Sequence, residues 1–190
     1  AVDVDAATGR GIHVTNTPGA NSDAVADHAI GLMLAALRFT VDGDRRVRVG
    51  DWAVRRGREL GTSTVGIVGF GRIGQGVARR LSGFGTRVLA ADPFMTDEQI
   101  AALGAEPATL ASIAAESDIV SLHAPGGQLV ADAAWPAAMK PGLLLANTAL
   151  TARVGQRVFW GEAKQGEALP AVVLNIISAV DHAHMSGGGY

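Results

Sequence analysis

The sequence contains no cysteine. That excludes a disulfide framework, a thiolate metal site and a cysteine nucleophile. It also lacks an excess of either charge, with 16 Lys and Arg against 18 Asp and Glu and a net charge of −2. Nucleic-acid binders usually carry a basic excess. The basic groups Arg45, Arg46, Arg48 and Arg55, Arg56, Arg58 are interrupted by acids and by Trp52, so they read as a solvated face. No apolar run reaches the roughly 18 residues of a membrane span, and the N-terminus shows no basic-then-apolar leader pattern. Neither nucleic acid nor membrane is expected as a partner, and a cytoplasmic location is the default expectation. The five histidines are scattered, with none in an HExxH or similar spacing, so no metal site is expected.

What the chain does have is apolar content and glycine. Apolar residues make up 48% of its 190 positions, and glycine 25 of them, well above the roughly 7% average. A globular chain with tight turns and close backbone approaches follows. The stretch Ala1 to Gly19 is short and turn-rich, with a short strand expected at Ile12–Thr15. From Asn21 or Ser22, either of which can cap a helix, Val25, Ala29, Leu32, Met33, Ala36 and Leu37 recur at helical spacing. That helix is apolar almost all round and reads as buried between two bodies. Asp42 to Glu59 reads as an exposed helix and a loop.

Strands and helices then alternate. Strands are expected at Thr64–Gly69, Arg87–Ala91, Asp118–Leu122, Leu143–Asn147 and Ala171–Ile177. Helices are expected at Ile73–Leu81, from Thr96 (with Gln99 as its capping-box partner) to near Gly104, at Leu110–Glu116 and around Val154–Lys164. The pattern predicts an α/β fold, a doubly wound parallel sheet of the Rossmann type.

The sharpest motif is Gly69-Phe70-Gly71-Arg72-Ile73-Gly74, a GxGxxG that directly follows a strand and opens a helix. The next strand begins 13 residues after Gly74 and ends at Asp92, 23 residues after Gly69. This is the dinucleotide-binding arrangement. Gly69 allows the tight turn, Gly71 lets a pyrophosphate approach the backbone, and Gly74 lets helix and strand pack closely. The helix N-terminus offers unpaired N–H groups and the positive end of its dipole. Asp92 would accept hydrogen bonds from ribose hydroxyls and repel a 2′-phosphate, which selects NAD over NADP.

The segment Thr64 to Gln75 resembles the D-isomer-specific 2-hydroxyacid dehydrogenase family, which includes phosphoglycerate, glyoxylate and formate dehydrogenases. So do Val14-Thr15-Asn16-Thr17-Pro18-Gly19, the helix with Val25-Ala26-Asp27-His28-Ala29, Ser117 to Pro125, and Met139-Lys140-Pro141-Gly142. The resemblance implies that Arg72 and Ile73 border the pyrophosphate. It implies that His123, Ala124 and Pro125 form a loop beneath the cofactor, and that Thr148 and Ala149 lie on the nicotinamide side. It also implies that residues 1–21 are the remnant of a largely absent substrate domain with its hinge, that 22–180 form the NAD-binding domain with its crossover helix, and that 181–190 form a flexible tail.

Reduction of a 2-oxo acid needs a cation for the carboxylate and a tuned proton donor. In the family an arginine follows Asn-Thr-Ala; here Leu150 follows Asn147-Thr148-Ala149, with Arg153 three residues on. The family glutamate position falls at Val180, beside Asp181. The family histidine has no counterpart: His182 and His184 lack its Pro-His context, and another alignment sets Ile177 there. No catalytic residue is assigned. The expected function is NAD(H) binding with weak or no hydride transfer to a 2-oxo acid. Two alternatives stay open: an active oxidoreductase completed by a partner chain or by substitutes such as Arg153 and His123, and a non-catalytic module that forms a homodimer through the apolar helix Val25–Leu37.

Overall fold

A computed structural model describes residues 2–124, 135, 138–139, 143–146 and 172–175. Strands β1 (Thr64–Val68), β2 (Arg87–Ala91), β3 (Glu106–Pro107), β4 (Ile119–Leu122), β5 (Leu143–Ala146) and β6 (Val172–Asn175) form one sheet. Their order is β3-β2-β1-β4-β5-β6, and every neighbouring pair is parallel. This is the strand order of the Rossmann fold. The helices are α1 (Val4–Gly9), α2 (Ser22–Leu37), α3 (Thr40–Arg48), α4 (Arg72–Ser82), α5 (Asp97–Ala102) and α6 (Leu110–Glu116).

Side chains alternate across the strands, so the sheet feeds two apolar layers. Val65, Ile67, Val88, Ala90 and Ile119 pack with α2 and α4. Val68, Leu89, Val120 and Leu122 pack on the other side with Ile113 and Ala114 of α6 and with Met139. Each buried Val, Leu, Ile or Met among them contributes roughly 1.5–3 kcal/mol. Trp135 closes the second layer, its Nε1 donating to the Leu110 carbonyl at 2.8 Å. Gly66 lets α6 approach β1: a Cβ there would lie 2.6 Å from Ile113 Cγ2 and would strike Ser117 Oγ. That buried hydroxyl has no hydrogen-bond partner among the described residues.

α2 buries Val25, Ala26, Ala29, Ile30 and Met33. A Cβ on Gly76 would sit 3.1 Å from Ala26 Cβ, so the crossing with α4 is close. Arg80 donates to Asp27 and to Asp23, and Arg79 donates to Asp23 at 2.9 Å. This differs from a helix buried between two bodies: Ala24, Asp27, His28 and Gly31 are exposed among the described residues, and α4 covers the opposite face. Within the chain Val25, Ala29, Ile30 and Met33 are buried, while Leu32, Ala36 and Leu37 stay half-buried.

The lead-in also differs from expectation. Ile12–Thr15 forms no strand, because these exposed residues have no neighbouring strand to bond with among the described residues. Instead α1 precedes them, capped by Asp3 Oδ1, which accepts from the Ala6 N–H at 2.9 Å. Asn21 holds the N-cap position of α2 without a side-chain hydrogen bond. The Thr96–Gln99 capping box is present on α5.

Five of the six arginines of α3 and residues 51–59 find acids. Arg45 and Arg55 donate to Asp42, Arg46 to Asp51, Arg48 to Asp44 and Arg58 to Asp118. The Arg46 guanidinium holds the Asp51 carboxyl below its ordinary range. The expected helix at 154–164, the tail and Pro125, Thr148, Ala149, Leu150, Arg153, Ile177, Val180, Asp181, His182 and His184 lie outside the described residues. Among the described residues, no single helix is long and apolar enough to cross a membrane.

Candidate functional site

β2, β1 and β4 are adjacent and parallel, and Val68 pairs in register with both Ala91 and Leu122. Their carboxyl ends are therefore level. Gly69, Asp92 and His123 follow these strands and meet at one edge of the sheet. Ligands of open α/β sheets bind in that position.

The three motif glycines have separate surroundings. Gly69 has φ +90°, and a Cβ would lie 2.7 Å from the backbone of both His123 and Ala124. Gly74 is buried: a Cβ would strike the Gly69 carbonyl and lie 3.1 Å from Ile67 Cγ2. Gly71 is exposed at the N-cap of α4, with nothing within 4 Å of a Cβ and no side-chain cap. The protein itself thus fills the space at Gly69 and Gly74 and leaves it open at Gly71. Beside that opening stands the first turn of α4, whose N–H groups have no intrahelical acceptor. These features fit the diphosphate of a dinucleotide.

Phe70 is fully buried. Its N–H donates to Asp92 Oδ2 at 2.7 Å, and the Phe94 N–H donates to Asp92 Oδ1 at 2.9 Å. The Gly69 N–H donates to the Ala91 carbonyl at 2.8 Å. A carboxylate accepts at about four sites, so half-buried Asp92 retains acceptor capacity beyond these two bonds. Gln75 Nε2 donates to the Phe70 carbonyl at 2.8 Å. Arg72 is exposed on the first turn of α4, its stem beside Gly19; Ile73 is half-buried against the core.

The His123 N–H donates to the Val68 carbonyl at 2.7 Å, and its Nε2 lies 2.8 Å from Ser121 Oγ. Burial pushes its imidazole down to about 4, so the ring is neutral at pH 7. Ala124 meets Gly69 through its backbone. The structure thus brings together Gly69, Gly71, Arg72, Ile73, Gly74, Asp92, His123 and Ala124. Gln75, Ser121 and the buried anchor Phe70 escaped the sequence reading. The only signals were the position of Gln75 directly after the motif and a polar residue inside an apolar strand. No group of three or more His, Asp or Glu among the described residues could hold a metal ion.

A family model described as the D-isomer specific 2-hydroxyacid dehydrogenase, NAD binding domain, matches residues 30–168. The chain belongs to the D-isomer specific 2-hydroxyacid dehydrogenase family. Its matched part is the family's NAD-binding domain, and NAD is the cofactor of that domain. Among relatives of the family, a glyoxylate reductase of Korarchaeum cryptofilum is 46% identical over 130 residues, covering 65% of this chain and 39% of that protein. A D-3-phosphoglycerate dehydrogenase of Mycobacterium leprae is 40% identical over 153 residues, covering 78% and 29%. A D-lactate dehydrogenase of Aquifex aeolicus, solved with NAD and lactic acid, superposes with a TM-score of 0.67 at 26% identity, covering 78% of this chain and 47% of that one. The chain thus spans less than half the length of these family members.

Proposed function

We propose that this chain binds NAD at the carboxyl edge of β2, β1 and β4, in preference to NADP, and by itself transfers hydride between NAD(H) and a 2-oxo or 2-hydroxy acid weakly or not at all. The observation that carries the binding half is the loop from Gly69 to Gly74, open at Gly71, with the Asp92 carboxylate locked beside it through Phe70 and Phe94. NAD supplies the hydride acceptor when bound. Gly71 and the first turn of α4, with Arg72 and Ile73, would hold its diphosphate. Asp92 would hold the adenosine ribose, its charge opposing a 2′-phosphate. His123 and Ala124 would floor the site, followed by Pro125, with Thr148 and Ala149 beyond β5. Residues 22–180 would form the cofactor domain, 1–21 the hinge segment and 181–190 a tail.

The catalytic half rests on Leu150, which stands where the family pattern has its arginine. Against His123 as a substitute acid stand its half-buried ring, which burial pushes down to about 4, and its contact with Ser121. Calorimetry with NAD and NADP tests binding: NAD binds more tightly, and no binding at millimolar NAD refutes the reading. NADH oxidation with glyoxylate, hydroxypyruvate and phosphohydroxypyruvate gives flat traces. Turnover with any of them favours the alternative of an active oxidoreductase.

A homodimer belongs to the same reading. It is supported by the apolar side chains of Val49, Trp52 and Val54, which are 78%, 78% and 95% exposed close together in the sequence after α3. Sedimentation over a concentration series detects it, and a concentration-independent monomer refutes it.

A further inference from the structure

The two loops that build the candidate site come from different strands, and two side chains join them. Asp92 accepts the Phe70 N–H from the loop after β1 and the Phe94 N–H from its own loop after β2. Gln75 donates to the Phe70 carbonyl, and its Nε2 lies 4.0 Å from Met95 Sδ in the loop after β2. Phe70 is pinned from below by its buried ring. Asp92 therefore holds the peptide that precedes Phe70, and Gln75 holds the peptide that follows it.

We propose that Gln75 is a positioning residue for the cofactor. A trans peptide points its C=O and N–H in opposite directions. By fixing the Phe70 carbonyl, the Gln75 carboxamide fixes the direction of the Gly71 N–H, the first donor at the open phosphate position. The same grip keeps Phe70 seated, so its N–H stays on Asp92 and the ribose carboxylate keeps its orientation. Diphosphate and ribose subsites are thereby registered to each other before a dinucleotide arrives. This rests on the NAD-binding reading above.

The test compares the full chain with Gln75→Met, which keeps the length and loses the donor, and Gln75→Glu, which keeps the shape and sets a carboxylate against the Phe70 carbonyl. NAD and ADP-ribose are titrated calorimetrically, and the Phe70 and Gly71 amides are followed by NMR. One lost hydrogen bond predicts about three- to tenfold weaker binding of both ligands to Gln75→Met, with a larger loss for Gln75→Glu. The Phe70 and Gly71 amide signals move while exchange protection of the β1 amides stays unchanged, which a general loss of stability would not produce. A wild-type chain that binds NAD, together with variants that bind within twofold of it, overturns the positioning role. A uniform fall in β1 protection that tracks the affinity loss also overturns it. A wild-type chain that binds neither ligand overturns the cofactor reading itself, and the two failures are thereby told apart.

Discussion

Replacing each motif glycine by alanine separates folding from binding. At Gly69 the backbone φ is +90°, which costs a residue with a Cβ roughly 1–2 kcal/mol. The new methyl also lies 2.7 Å from backbone atoms of His123 and Ala124, which cannot swing aside as a side chain would; overpacking of this kind costs roughly 1–3 kcal/mol. Gly69→Ala should therefore lose about 2–5 kcal/mol, a large part of the roughly 5–15 kcal/mol of a typical domain. Gly74→Ala gains about 1 kcal/mol of helix propensity but meets the Gly69 carbonyl, for a net loss of roughly 0–2 kcal/mol. Gly71→Ala meets nothing within 4 Å. Its unfolded chain loses freedom worth about 0.4–1 kcal/mol, while alanine is the poorer N-cap by a similar amount. Its stability should stay near that of the parent, and its NAD affinity should fall. Urea unfolding followed by circular dichroism, with calorimetric NAD titration of the folded variants, reads both quantities. Equal instability of Gly71→Ala and Gly69→Ala, or a Gly69→Ala midpoint equal to the parent's, refutes this separation.

Two further outcomes are expected. The folded-state value of His123, about 4, lies below the 6.5 of an unperturbed ring, so between these values the unfolded chain binds more protons and stability rises with pH. The contribution is complete above about pH 6.5 and is lost as pH falls through about 4, by at most about 3 kcal/mol. Urea midpoints between about pH 7.5 and 5 should fall more steeply in the parent than in His123→Gln; equal slopes would sink the argument. Ser117→Ala removes a buried hydroxyl with no partner among the described residues and should leave stability unchanged or raise it by up to about 1 kcal/mol, measured by the same unfolding assay.

The sequence carried the parallel sheet plainly where its signals were local. Arg87–Ala91 and Leu110–Glu116 sit where the sequence placed them, because a short apolar run and a helix-forming stretch are local signals. β3 went unseen because Glu106–Pro107 is two residues long, too short for any period. Ile12–Thr15 has the composition of a strand and no neighbour to pair with among the described residues, and pairing is a tertiary event. At the site, the glycines and Asp92 were legible because each has a fixed mechanical task at a fixed spacing. The grip on Phe70 was not: it joins the loops after two strands through one carboxylate and one carboxamide, and nothing in the linear spacing announces it. The reach of Ser121 to His123 was hidden for a similar reason, since a serine in a strand more often simply packs.

The crossing of α2 and α4 has a consequence for the order in which the chain is made. Val25, Ala29, Ile30 and Met33 leave the ribosome before the surface that buries them exists. Ser82, the last residue of α4, follows Leu37 by 45 positions, a delay of roughly 2–9 s at about 5–20 residues per second. During that interval the nascent helix has β1 and α4 still to come, and its apolar face is open to chaperones or to other nascent chains. Slower translation between Leu37 and Ser82 lengthens the exposure without altering any contact of the finished fold.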